Sequence, residues 1–368
     1  MRIHYDHQVF SLQNAGGASR YHYELMRYLC TISDVRLDLV LGTSSTILPF
    51  SRLPRAQARV FRLKHTLQPG LGRYLVNELF ENVIALGRER ADVYHPTLYR
   101  CVPMVRARRI IVTHHDCVHE RYPHLFPGIK RVSNAKKKQF AQADAIICVS
   151  ESSRKDLLDF YQIDPSKTAV VHHGLNRLPR SLDARVHLKK HVQREFLLFV
   201  GSRAPYKNFD NLLEAFHESR LYQSMDLLVL GGGPLTVKEA DLAKKLGVTK
   251  NVIVIPEASD TFLAEAYADA QLLVYPSLCE GFGFPPLEAM ALGCAVLASN
   301  TSSLPEVCRD APFYFDPHDK NTLVPALLRA VTDRVARHQM IQRGTWVADQ
   351  YSCDKCGQET LALYRGCL

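Results

Sequence analysis

The chain has 368 residues, 46% of them hydrophobic and 23% charged, with 19 Gly, 19 Pro and 10 Cys. That composition excludes wholesale disorder, a collagenous repeat and a disulfide-stapled miniprotein, and the length suits two domains, each able to bury its own core. The charge is uneven: residues 1–180 hold 27 Lys and Arg against 15 Asp and Glu, a net of +12, whereas the remainder holds 19 against 22, a net of −3.

The N-terminal half alternates short apolar runs with longer amphipathic stretches. Strands are expected over Ile3–Asp6, Val35–Leu41, Arg59–Leu63, Val93–His95, Ile110–Thr113, Ala145–Val149 and Ala169–His172. Helical spacing falls at Ala18–Cys30, Leu71–Arg88, Ile129–Gln142 and Ser152–Tyr161. Short apolar runs alternating with helices signal βαβ units and a parallel sheet covered on both faces. A polar, basic stretch over 179–194 reads as a linker. A second series of strands follows at Phe196–Val200, Leu227–Leu230, Val252–Ile255, Leu272–Tyr275, Ala295–Ala298 and Phe313–Phe315, and the last fifty or so residues read as helices.

No run approaches the roughly 18 apolar residues of a spanning helix, and Met1–Asp6 reads as a strand, not as a signal peptide. An intracellular protein is therefore expected. The cysteines follow no regular spacing, which suits reduced, mostly buried thiols. Cys353-x-x-Cys356 has no second pair to complete a zinc site.

Several strands of the second series end directly in small residues, where a ligand can approach the backbone beyond the carboxyl edge of a sheet. Cys279-Glu280-Gly281-Phe282-Gly283-Phe284-Pro285-Pro286-Leu287-Glu288 is the richest such segment. Its glycines free backbone amides, and its prolines suit a first helical turn, so a strand–loop–helix is expected whose N-terminus holds an anionic or hydroxyl-rich ligand. Glu280 in the loop and Glu288 in the helix can accept hydrogen bonds from two sets of hydroxyls. Gly201-Ser202-Arg203-Ala204-Pro205-Tyr206-Lys207 repeats the strand–loop–helix pattern, and Arg203 with Lys207 suits a diphosphate clamp. Gly16-Gly17 precedes the first long helix. His115-Asp116 follows a strand; with His119 it offers metal-ligand types, but on a segment read as a loop. His172-His173-Gly174 reads as cleft lining.

Together these motifs resemble the GT4 family of retaining glycosyltransferases, and the flavour of Gly-Gly-Ala-Ser-Arg-Tyr, His-Asp-Cys-Val-His-Glu and Tyr-Lys-Asn-Phe is similar to bacterial mannosyltransferases. The resemblance implies an α/β, GT-B fold of two Rossmann-like domains facing across a cleft. Residues 1–178 would form the acceptor domain, 195–345 the donor domain, and 346–368 a C-terminal helical segment packing back on the N-terminal domain. It implies catalytic roles for His115, Glu280, Lys207 and Arg203. Donor binding would fall to Gly16, Gly17, Ser202, Arg203, Lys207, Glu257, Glu280, Gly281, Phe282, Gly283, Phe284 and Glu288. Many members carry arginine where this chain has Ser202, with Arg203 displaced by one position.

The expected reaction moves a hexose, mannose first, from a nucleotide-diphosphate sugar to a saccharide or lipid-linked acceptor in bacterial surface polysaccharide synthesis. GDP-mannose is the favoured donor and UDP-sugars the next. No DxD-like carboxylate pair stands at a strand end, so a metal-independent reaction without cofactor is expected. Lys130, Arg131, Lys136, Lys137 and Lys138, with Arg52, Arg55, Arg59, Arg62 and Lys64, give the acceptor half a basic surface suited to the cytoplasmic face of an anionic membrane. A nucleic-acid-binding protein is the rival class, but no RRM, KH or helix-turn-helix pattern accompanies the positive charge.

Overall fold

The computed structural model describes residues 1–13, 16–44, 46–63, 67–68, 70–86, 90–99, 105–126 and 129–368. Lys64 lies outside them. The chain divides into two units, residues 1–174 with 352–368, and residues 175–351. Each is built on one sheet.

The N-terminal sheet orders its strands β3-β2-β1-β4-β5-β6-β7. These are β1 (Arg2–Tyr5), β2 (Arg36–Gly42), β3 (Ala58–Arg62), β4 (Ala91–His95), β5 (Ala107–His114), β6 (Ala145–Cys148) and β7 (Thr168–Val170). The C-terminal sheet orders β10-β9-β8-β11-β12-β13. Its strands are β8 (Phe196–Val200), β9 (Asp226–Leu230), β10 (Val252–Ile255), β11 (Leu272–Tyr275), β12 (Val296–Ser299) and β13 (Phe313–Phe315). All strand pairs are parallel. The continuous apolar runs follow from that: adjacent Leu197 and Leu198 point to opposite faces of β8, and both are fully buried under helices.

In both sheets the order reverses beside the first strand, between β1 and β4 and between β8 and β11. Successive crossovers there run to opposite sides, and the diverging loops leave a crevice at the carboxyl edge where ligands bind. The topology therefore nominates the loops after β8 and β11 in one unit, and after β1 and β4 in the other.

Two expectations need correction. The supposed linker 179–194 contains a helix, Leu182–His191. It docks by charge: Arg180 bonds Glu265, and Arg185 and Lys189 pair with Asp269 at 3.5 and 2.9 Å. With Leu182 and Val186 exposed and Leu188 as its buried aliphatic anchor, it shows almost no apolar periodicity. The units also part at 174/175 and 351/352, so residues 346–348 finish a helix of the C-terminal unit, while the last helix, Cys353–Cys367, packs in the N-terminal one. There Gly357 lies against the Tyr28 ring and Gly174 against the backbone of Ser352 and Cys353, so close that a Cβ at either glycine would overlap its neighbour.

Helix Leu71–Leu86 is the odd element. Its inward residues are polar: Asn77 accepts from the Thr43 amide at 2.7 Å and donates to Ser11 Oγ at 2.8 Å, and Glu81 meets His4 at 3.2 Å. Arg73 is buried and bonds backbone oxygens of Phe10 and Leu67. Among the described residues, no helix is long and apolar enough to cross a membrane.

Candidate active site

At the switch point of the C-terminal sheet, β8 ends at Val200, Gly201 follows, and the chain closes into a single 3-10 turn, Pro205–Lys207. The turn ends at Asn208 in the left-handed region, φ 59°. It turns Lys207 inward. The ammonium donates to Glu280 Oε1 at 2.5 Å and to Tyr275 Oη at 2.9 Å, and sits 5.1 Å from the ring centroids of Tyr206 and Tyr275. Lys207 is buried, and a carboxylate and two aromatic faces stand where its water would be. The Tyr206 carbonyl accepts from the Leu278 amide at 2.8 Å, stitching the loop after β8 to the loop after β11.

The loop after β11 is pinned from the other side by Thr301-Ser302-Ser303, which follows β12. Ser302 Oγ accepts from the Glu280 amide at 2.9 Å, and Ser303 Oγ donates to the carbonyls of Glu280 and Phe282 at 2.9 and 3.0 Å. Gly283, φ 103°, then caps helix Phe284–Ala291, with prolines in its first turn as expected. In that first turn only Phe284 and Leu287 carry an N–H, since Pro285 and Pro286 have none. A Cβ at Gly283 would press on Leu304, so the reversal requires glycine.

Glu288 lies about one turn into that helix and accepts from Tyr267 Oη at 3.0 Å. With Leu175, Asn176, Arg177, Leu178, Arg180, Ala291 and Leu292 it lines a cavity of about 200 Å³. Burial, then the neighbouring carboxylates, push the phenols of Tyr267 and Tyr275 well up, so both remain neutral donors.

Arg203 departs from expectation. Its guanidinium bonds Glu239 Oε1 at 3.1 Å and the carbonyls of Gly231, Gly232, Gly233 and Pro234 at 2.6–3.2 Å. Its side chain is only 3% exposed. Three glycines with φ of 75–88° form the loop it grips, and the other Glu239 oxygen accepts from the Thr236 amide at 2.7 Å. Arg203 thus holds the loop after β9 and is not paired with Lys207 as a clamp. Ser202 and Glu257 are exposed.

The N-terminal unit sets a different group at its strand ends. His115 follows β5, its Nε2 is buried and without a hydrogen-bond partner, and its ring lies 5.6 Å from His173 and 5.8 Å from Tyr21. Burial pushes the imidazole down to about 4 despite the opposing pull of Asp116. Asp116 itself precedes the short helix Val118–Arg121 and accepts from the Val118 amide at 3.1 Å. Behind them runs a buried chain: Tyr5 Oη to Tyr364 Oη at 2.9 Å, Tyr364 Oη to His95 Nδ1 at 2.5 Å, His95 Nε2 to Thr113 Oγ1 at 2.8 Å, and Thr113 to Tyr21 Oη at 3.0 Å. Gly17 opens helix Gly17–Leu29, and Gly16, in extended backbone, precedes it. Among the described residues no three His, Cys, Asp or Glu side chains group as metal ligands.

Of the basic residues on helix Ile129–Gln142, Lys130, Arg131, Lys137 and Lys138 are exposed, but Lys136 is not. It is 2% exposed, pairs with Glu120 at 3.0 Å and donates to the Asp116 carbonyl at 2.8 Å, so it is a buried strut behind the His115 loop and not a surface cation.

Two family models match this chain, Glycosyltransferase Family 4 over residues 15–177 and Glycosyl transferases group 1 over residues 182–346. Between them they take in every strand but β1 and nearly every site residue above. The chain belongs to glycosyltransferase family 4. It is 29% identical to O-antigen chain mannosyltransferase B of Escherichia coli over 287 residues, 74% of each protein. It is also 29% identical to the serotype-specific mannosyltransferase WbdA of Escherichia coli over 223 residues, which is 56% of this chain but only 27% of WbdA. Among solved structures it is similar to HepE of Anabaena in complex with UDP and glucose (TM-score 0.76, 17% identity, all of both chains). It is similar as well to sucrose-phosphate synthase of Thermosynechococcus elongatus (TM-score 0.77, 18% identity, 99% and 98% of the two chains). The fold is GT-B.

Several residues that shape this family 4 site escape a reading by motif. Tyr275 and Tyr267 look like ordinary strand and helix aromatics, and Thr301-Ser302-Ser303 looks like a plain loop. Thr236-x-x-Glu239 did carry a signal, since that spacing is a capping box, and the structure shows it closed.

Proposed function

We propose that this glycosyltransferase moves a hexose, mannose first, from a nucleotide-diphosphate sugar to a saccharide or lipid-linked saccharide acceptor of a bacterial surface polysaccharide, with retention and without a metal. The observation that carries the reading is the Lys207 ammonium held at the switch point by Tyr275 and by Glu280, on the loop that leads into helix Phe284–Ala291. The mannosyltransferase relatives favour mannose, and with it GDP-mannose; the UDP complex of HepE keeps UDP-sugars as the alternative.

As the bond from the anomeric carbon to the diphosphate breaks, its electron pair leaves with the phosphate and the sugar gains oxocarbenium character. Lys207 and the helix N-terminus oppose the growing negative charge, and both are fixed before the reaction begins. Glu280 and the loop amides of Gly281 to Phe284 bind the sugar hydroxyls, and Glu288 binds the ribose. For the N-terminal unit the same reading gives His115 a hydrogen bond to the sugar; an imidazole held near 4 is neutral there from about pH 5 upward. The acceptor hydroxyl adds on the face the phosphate leaves, and its proton passes to the departing phosphate oxygen.

The test is acceptor-dependent nucleotide release from GDP-mannose in EDTA, with the product anomer read by proton NMR. An α-linked product at full rate supports the reading. Inversion, or a rate restored only by a divalent ion, overturns its mechanism; turnover with UDP-sugars alone overturns the donor.

A further inference from the structure

Helix Leu182–His191 carries two histidines that the transfer site does not use. His187 and His191 stand four residues apart, about one helical turn, and both are exposed. Their Nε2 atoms lie 3.3 Å apart. Phe262, buried on helix Asp260–Asp269, packs against both imidazoles, its ring centroid 5.6 Å from that of His187 and 6.4 Å from that of His191. One fixed aromatic thus supports two imidazoles whose Nε2 atoms meet on an exposed face.

We propose that His187 and His191 chelate one tetrahedral divalent transition-metal ion of the zinc class, with water completing its coordination. The separation selects the geometry. Metal–imidazole bonds of about 2.0–2.1 Å opening at the tetrahedral angle span about 3.3–3.4 Å between nitrogens, whereas a right angle spans only about 2.8–3.0 Å. The observed 3.3 Å matches the first. The donors select the ion, since imidazole suits zinc and its neighbours while magnesium and calcium take oxygen ligands. Charge permits it as well. The pair reaches the last turn of the helix, where unpaired carbonyls favour a cation, and Arg185 and Lys189 on the same helix are engaged by Asp269 at 3.5 and 2.9 Å. Two protein ligands make an exchangeable site, in keeping with the absence, among the described residues, of any group of three. Its effect falls on the helix: a bridge across one turn braces an element that is docked by ion pairs and by Leu188. Neither imidazole belongs to the transfer site, so the inference does not depend on which sugar is transferred or how.

The experiment is calorimetric titration of the untagged full-length protein, stripped with EDTA and desalted, with zinc chloride, alongside the absorption spectrum of the cobalt(II) form. The wild type is expected to take up one zinc ion, to ignore magnesium and calcium, and to give the intense visible bands of tetrahedral cobalt. His187→Gln and His191→Gln should each weaken zinc binding about tenfold or more, because a single imidazole is no chelate. Both side chains are exposed, so the variants should match the wild type's melting temperature in EDTA, while added zinc raises only that of the wild type. A wild type that takes up no zinc overturns the proposal. So does binding that His187→Gln/His191→Gln leaves unchanged, which would give the ion to thiols such as Cys353 and Cys356. An octahedral cobalt spectrum would mean that the two nitrogens do not close on one tetrahedral ion, and overturns it too.

Discussion

In the C-terminal unit the loops at the switch point carry full charges in contact, Lys207 against Glu280, with phenols as their support. In the N-terminal unit, on a sheet wound in the same order, the carboxylate after β1 is already consumed: Asp6 accepts from Thr97 Oγ1 at 2.5 Å, the Thr97 amide at 2.9 Å, Gln8 Nε2 at 2.5 Å and Tyr94 Oη at 2.8 Å. What remains are histidines that burial keeps neutral, His95, His115 and His173 at strand ends and His22 on helix Gly17–Leu29. One topology thus supports two kinds of recognition. An ion pair suits a ligand whose charge changes during reaction, whereas neutral donors and acceptors suit hydroxyls whose charge does not.

Removing Lys207 is the hardest blow to that contrast. Lys207→Ala should lower kcat by about 10³-fold, the scale of losing a preorganised group that opposes leaving-group charge, with a smaller change in KM. It also leaves Glu280 without its ammonium, so a fall in melting temperature is expected alongside. Lys207→Arg, which restores the charge but not its position, should recover stability better than rate. Rates within a few-fold of wild type for Lys207→Ala would remove the charged site from the chemistry altogether.

Arg203 sharpens the comparison because it sits one turn away yet works on the fold. Arg203→Met strips the donor from four carbonyls of the Gly231–Pro234 loop and leaves Glu239 buried, so a destabilisation of about 2–3 kcal/mol in urea is expected, with kcat reduced less than about tenfold. A variant as stable as wild type but inactive would make Arg203 a ligand of the diphosphate after all.

The thirteen strands of the described residues were visible in the sequence, most plainly where double-sided burial writes an unbroken apolar run, as in Phe196–Val200 and Leu272–Tyr275. The Glu280–Glu288 loop was visible for a related reason, since glycines and prolines mark backbone geometry directly. Long-range pairing was not. Nothing local to Arg203 says that its donors fold back onto the carbonyls of Gly231 to Pro234, 28 to 31 positions away, and a basic run such as Lys136–Lys138 does not say which lysine turns inward. The helix Leu182–His191 was missed because ion pairs, not an apolar face, dock it.

The neutral histidines of the N-terminal unit make a pH prediction whose sign is fixed by their burial. His95 is fully buried, and desolvation pushes it down to about 3, from about 6.5 in an unfolded chain. Below pH 6.5 the unfolded state takes up a proton that the folded state refuses. Stability is therefore complete above pH 6.5 and falls with decreasing pH until the folded imidazole also titrates near 3. Between pH 7 and pH 5 this one residue should cost about 2 kcal/mol, read from urea midpoints, and the other buried histidines add in the same direction. A midpoint that does not move over that interval would mean the cluster is hydrated or already charged.

Glu288 gives the mildest case, and it separates a carboxylate's orientation from its charge. Tyr267 Oη fixes one Glu288 oxygen at 3.0 Å, and Glu288 lines a cavity together with Asn176, Arg177 and Arg180. Tyr267→Phe deletes that hydrogen bond and leaves the charge. Its expected effect is a KM for the donor raised severalfold with kcat nearly unchanged, corresponding to about 1 kcal/mol of uniform binding. Glu288→Gln keeps the hydrogen bond and removes the charge, and should cost more than Tyr267→Phe if the ribose hydroxyls donate to a carboxylate. Equal losses in the two variants would mean that Glu288 acts through its position alone, and that the contrast between charged and neutral recognition ends at Lys207 and Glu280.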